Sequence, residues 1–135
     1  MAHRKVRVAF LLVISLALIP IWVGAENQRE RLSFPQGQGA ATRQGRIRGY
    51  DVKDYLLQAR AGQRLTIHLQ SQNIYTFAVI FIKKGERLEN LTPEEKEWSG
   101  VLQETGDYVI RVLMLRAGAR KEGAKADYTL EVAVR

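Results

Sequence analysis

Leu65 to Ile82, LTIHLQSQNIYTFAVIFI, decides how this chain is read. Leu65, Ile67 and Leu69 stand at one parity and Thr66, His68 and Gln70 at the other, the pattern of a strand with one face in a core and one in water. From Ile74 onward both parities are apolar: Tyr75, Phe77, Val79 and Phe81 alternate with Ile74, Ala78, Ile80 and Ile82. Such a run predicts a central strand covered on both sides.

The same period of two recurs on both sides of this stretch. Tyr128, Leu130, Val132 and Val134 point inward, with Thr129, Glu131 and Arg135 outward. Tyr55, Leu57 and Ala59 alternate with polar neighbours, and Gln44 to Tyr50 puts Ile47 inward with Arg46, Arg48 and Tyr50 on the other parity. Tyr50 is therefore expected to stand clear of the core near a strand end. Trp98 to Gln103 and Asp107 to Leu115 read as two further strands, and Ala61-Gly62-Gln63 and Glu104-Thr105-Gly106 as reversals. The prediction is an all-β domain, a small antiparallel β-sandwich of about seven to eight strands, with a closed barrel as the alternative.

Lys83 to Glu97 interrupts the pattern with charges and Pro93, and reads as a connection with a helical turn capped by Thr92. Its path matters. If every connection were a simple reversal, Tyr50 and Arg116 would lie at opposite ends of the sandwich. They share an end only if this segment carries the chain across.

At the N-terminus, Arg4, Lys5 and Arg7 precede an apolar run from Val8 to Val23, and Val23-Gly24-Ala25 suits a signal peptidase. The expected organisation is a cleaved signal peptide over 1–25, a flexible Gln/Gly/Arg-rich arm over 26–41, and the sandwich over 42–135, exported to the periplasm with no membrane attachment after cleavage. There is no cysteine to carry a lipid or a disulfide. The leader holds three of the 21 basic residues and no acid, which leaves 18 against 14 and a net charge of +4. A moderately cationic surface suits an acidic protein or another polyanion, and export argues against nucleic acid.

Catalytic and metal chemistry find little support. His68, the one histidine beyond the leader, lies outward on a strand, where a structural role is the plain reading. No cysteines, histidine pair or acidic calcium loop offer metal ligands, and Gly37-Gln-Gly39 lacks the context of a nucleotide loop. No cofactor is implied. Glu94, Glu95 and Glu97 read as a solvated acidic face before they read as an acid/base pair.

The one stretch that changes character is Arg111 to Lys121, RVLMLRAGARK. It starts as a strand, with Val112 and Met114 on one face, and continues into Arg116, Arg120 and Lys121 separated by Ala117, Gly118 and Ala119. Taken by itself this is either a solvated basic loop or a pair of guanidinium groups presented to carboxylates.

Gln44-Gly45-Arg46-Ile47-Arg48-Gly49-Tyr50-Asp51, then Tyr55, Ala61-Gly62-Gln63, Gly106-Asp107-Tyr108 and the block from Arg111 to Lys121, together resemble the family of periplasmic inhibitors of goose-type (g-type) lysozyme. The likeness runs from about Gln44 to the C-terminus. It implies a β-sandwich that binds goose-type lysozyme at an acidic active-site cleft, with Tyr50, Asp51, Arg116, Arg120 and Lys121 as partner-binding residues and no catalytic ones. A weaker, fold-level likeness is to domains found beside secreted bacterial peptidases. The rival readings are a general carbohydrate or peptidoglycan binding module that stacks sugars on Trp98 and exposed tyrosines, and an enzyme of unfamiliar type.

Overall fold

A computed structural model describes residues 27–82, 87–91 and 95–135, the middle segment by its backbone. Among the described residues nine strands and one short helix follow in chain order: β1 (Asn27–Arg31), β2 (Gly39–Arg48), β3 (Val52–Ala59), β4 (Arg64–Ser71), β5 (Thr76–Ile82), β6 (Arg87–Leu91), β7 (Glu97–Val101), β8 (Gly106–Met114), α1 (Arg116–Ala119) and β9 (Lys125–Val134). They form a sandwich of a five-stranded sheet, ordered β1-β3-β8-β5-β6, and a four-stranded sheet, ordered β2-β9-β4-β7. Neighbouring strands run antiparallel except β1, which pairs parallel with β3.

The core lies between the sheets and is built from the predicted inward parities. Leu57, Leu65, Ile67, Ile80, Ile110 and Leu130 have essentially no exposed surface, and apolar burial of this kind is what holds the two layers together. Two tyrosines link the layers. Tyr55 on β3 and Tyr128 on β9 meet hydroxyl to hydroxyl at 2.7 Å with their rings edge to face, so each buried phenol is satisfied by the other. Burial raises the pKa of both above 10.0, most of all for Tyr128. Gly45, opposite Tyr128 in the ladder, makes room for that ring: a Cβ there would lie 2.4 Å from the tyrosine oxygen.

Two strands depart from expectation. Asn27–Arg31, within the stretch read as a flexible arm, is edge strand β1, and β2 already begins at Gly39. Its sequence, NQRER, has no apolar period because an edge strand is held by its backbone ladder more than by side-chain burial. Leu32 just beyond it is buried and donates its N–H to the Leu56 carbonyl at 2.8 Å, while Arg43 of β2 pairs with Glu30 at 2.6 Å. The second departure is β6, which occupies part of the segment read as a connection and pairs antiparallel with β5. The expected leader and the Thr92–Pro93 helix start lie outside the described residues.

The fully covered strand is also a partial correction. β5 is interior in its sheet, and Ala78 and Ile80 are buried, but Phe77 and Phe81 on its outer face are only half-buried and Ile74 lies before the strand, 73% exposed. On that outer face Arg111 of β8 makes a two-pronged ion pair with buried Asp54 of β3, at 2.7 and 2.8 Å, and stacks 5.2 Å over the Phe81 ring.

Candidate functional site

Three connections meet at one pole of the sandwich: the turn from β2 to β3, the turn from β4 to β5, and the α1 segment from β8 to β9. The registers require it. Arg48 pairs with Lys125, Ser71 with Tyr128, Lys53 with Val112 and Thr76 with Met114, so all six strand ends face the same way.

The first connection carries Tyr50. Gly49 adopts φ +54°, a conformation glycine enters without steric cost, and the Asp51 N–H closes the turn on the Arg48 carbonyl at 2.9 Å. Tyr50 is thereby lifted out of the core to 55% exposure, as its parity predicts. Asp51 serves the turn itself: its carboxylate accepts from the Arg48 N–H at 3.3 Å.

The third connection is a helical turn where the sequence reads as a loop. The Leu115 carbonyl accepts from the N–H groups of Gly118 and Ala119, and the Arg116 carbonyl from that of Arg120. Arg116 and Arg120 therefore stand at i and i+4, neighbours on one helix face about 6 Å apart along the axis. Both side chains are exposed and make no ion pair among the described residues. Lys121 behaves differently: its Nζ donates to the Tyr75 hydroxyl at 2.8 Å and sits 4.4 Å from the centre of that ring. It clamps the helical turn onto the start of β5.

Tyr75 is the residue that sequence reading misses. Its carbonyl accepts from the Leu115 N–H at 2.8 Å, and its ring lies so close to α1 that a Cβ on Gly118 would come within 2.4 Å of it. Small residues in RAGARK thus answer a packing demand as well as letting the turn form. The signal for the second connection was Ser71-Gln72-Asn73, side chains that mimic backbone in turns. The Asn73 Oδ1 accepts from the Tyr75 N–H at 2.9 Å, its Nδ2 donates to the Lys125 carbonyl at 2.9 Å, and the Ser71 hydroxyl donates to the Asp127 carbonyl at 2.6 Å.

The two separated motif blocks therefore touch. The Gly49 N–H donates to the Ala124 carbonyl at 2.9 Å, and a Cβ placed on Gly49 would lie 3.7 Å from the Ala119 carbonyl oxygen. The backbone next to Tyr50 rests on the turn that bears both arginines. Arg48 and Lys125 stand opposite each other in the ladder nearby, so the pole is cationic, with Tyr50 exposed on it.

Elsewhere, His68 Nδ1 lies 3.2 Å from Glu131 on the outer face of the four-stranded sheet. No group of three or more potential metal ligands occurs among the described residues. Trp98 does not offer the stacking platform considered for a carbohydrate-binding module: it pairs with inward-facing Ile67 and packs partly buried against the core.

No family model matches the chain. The inhibitor of g-type lysozyme from Escherichia coli (strain K12) is 28% identical over 139 residues, spanning 100% of both chains. The crystal structure of PliG from Aeromonas hydrophila, a periplasmic inhibitor of g-type lysozyme, superposes with a TM-score of 0.74 at 26% identity, covering 83% of this chain and 100% of that one. A pre-peptidase C-terminal domain of a collagenase from Bacillus anthracis shares the fold alone, with a TM-score of 0.52 and 16% identity over 83% of this chain and 97% of that one. Over its full length the chain is thus similar in sequence to an inhibitor of g-type lysozyme, and it shares the sandwich of the PliG structure.

Proposed function

We propose that this protein inhibits g-type lysozyme in the periplasm by inserting the cationic pole of its sandwich into the enzyme's active-site cleft. The observation that carries the reading is the bond from Gly49, next to Tyr50, to Ala124 of the connection that bears Arg116 and Arg120, on a frame held by its own hydrogen bonds. Lysozymes cleave polysaccharide with carboxyl groups set in a groove shaped for an extended sugar chain. Two guanidinium groups on one helix face match such a groove, because each can make forked, charge-assisted bonds to a carboxylate. Tyr50 supplies broad, stiff contact area at the groove wall, and a net charge of +4 favours encounter with an acidic site.

Asp51 and Lys121 have a different part from the arginines. Asp51 sets the turn that lifts Tyr50, and Lys121 fastens α1 to Tyr75, so both position the contact residues. Positioning matters because a loop already held in its bound shape loses little entropy on association.

The test is a lytic assay of goose-type lysozyme on a cell-wall suspension with the purified protein titrated in. The wild-type chain is expected to abolish lysis. Arg116→Ala and Arg120→Ala are each expected to weaken inhibition by about 2–5 kcal/mol, the usual cost of leaving a buried opposite charge unpaired. Full inhibition by the double variant would rule out insertion of this turn, and no inhibition by the wild type would rule out the function.

A further inference from the structure

Ile74 is 73% exposed, more than Tyr50, Val101 or Leu115, the other large apolar side chains on the surface of the described residues. It sits on the middle connection of the cationic pole, and nothing about the fold requires an aliphatic residue there. Its neighbours do the structural work: Asn73 bonds the Tyr75 N–H and the Lys125 carbonyl, its own N–H donates to the Ser71 hydroxyl at 3.1 Å, its carbonyl accepts from the Thr76 N–H at 3.2 Å, and Tyr75 packs on Gly118. The turn is therefore held by polar bonds on either side of a β-branched side chain that is left in water. Leu115, 40% exposed, begins the adjoining connection, and its N–H is bonded to the Tyr75 carbonyl.

We infer that Ile74, with Leu115 beside it, forms an apolar anchor that docks on the rim of the lysozyme cleft while the arginines enter it. The inference rests on the proposed inhibitory function and adds to it a third contact segment, aliphatic where the arginines are cationic. The residue shares a hydrogen-bonded frame with α1, so a lysozyme engaging Arg116 and Arg120 is brought against the adjoining turn. An apolar side chain fixed on a rigid turn beside a charged contact is the arrangement in which burial contributes most to binding, since water is excluded with little loss of freedom. It also sets specificity. Carboxylates in a cleft are common to lysozymes, whereas an apolar rim at the matching position is a property of particular ones.

The two classes of contact separate kinetically. Long-range charge acts on association, while short-range apolar burial acts on dissociation. With protein expressed from the full chain, Ile74→Ser is expected to speed dissociation from goose-type lysozyme about tenfold or more, the scale of burying one aliphatic side chain. Its association rate and melting temperature should stay as in wild type, and Ile74→Val should restore most of the affinity. Wild-type dissociation in Ile74→Ser, alongside intact inhibition by wild type and loss in Arg116→Ala, would overturn the anchor and leave the inhibitory function standing. Absence of inhibition by wild type would remove both. A wild-type dimer by sedimentation that Ile74→Ser converts to monomer would assign the residue to self-association and overturn the inference.

Discussion

At Gly118 the demands of packing and of chemistry coincide. The residue lies between two arginines that face solvent, yet it is itself buried against the Tyr75 ring, with no space for a methyl group. Gly118→Ala is expected to lower stability by about 1–3 kcal/mol, the cost of forcing an atom into a filled contact, and to weaken lysozyme inhibition as well, because α1 must shift away from the Tyr75 ring and carry its arginines with it. Thermal melting and the lytic assay measured on one preparation check both effects. A variant that melts normally but inhibits poorly would show that the angle of the turn, not its survival, limits binding. Tyr50 and the two arginines were legible in the sequence, since parity and spacing alone put them outside the core. The part played by Tyr75 was not, because its apolar context reads as one more core residue and its contact with Gly118 spans 43 positions, from 75 to 118.

Among the elements, β3 and β8 are coupled by more than their ladder. Asp54 and Arg111 stand opposite each other in register and join in a two-pronged ion pair, with the aspartate 6% exposed and the arginine 37% exposed. Asp54→Ala would leave the guanidinium partly enclosed against Phe81 without its counter-charge. The expected loss is about 1–3 kcal/mol, below that of a fully enclosed pair because water still reaches Arg111. Chemical denaturation would measure it, and a double variant with Arg111→Met should recover part of the loss. The pair also bears on the site, since β8 leads directly into α1 and β3 leaves the turn of Tyr50. At this scale the alternating strands were read correctly from their period. β1 and β6 were not, for the same physical reason in both: edge strands are specified by a neighbour's open ladder, and NQRER or RLENL carries no apolar alternation to announce it.

For the molecule as a whole, the link between the sheets titrates. Burial raises the pKa of Tyr55 and Tyr128 above 10.0, so the unfolded chain gives up these protons before the folded one does. The stabilisation is therefore complete below pH 10 and is lost as pH rises beyond it. Melting temperature is expected to fall more steeply above pH 10 in the wild type than in Tyr55→Phe with Tyr128→Phe, which has no phenol to ionise at this place. Parallel slopes would separate alkaline unfolding from this pair.

Alternation of apolar and polar residues in the sequence shows an all-β chain, a sandwich or a closed barrel, with most of the residues that fill it, and puts Tyr50 outside, because a period of two forces each side chain to one face or the other. Whether Tyr50 and the arginines share an end depended on the number of strands between them. β6 supplies the additional reversal, which turns β8 to finish beside the start of β3 and brings α1 against the turn of Tyr50. That meeting is a product of the fold, since pairing of an edge strand is settled by backbone hydrogen bonds to a distant neighbour and leaves no local mark in the residues that form it.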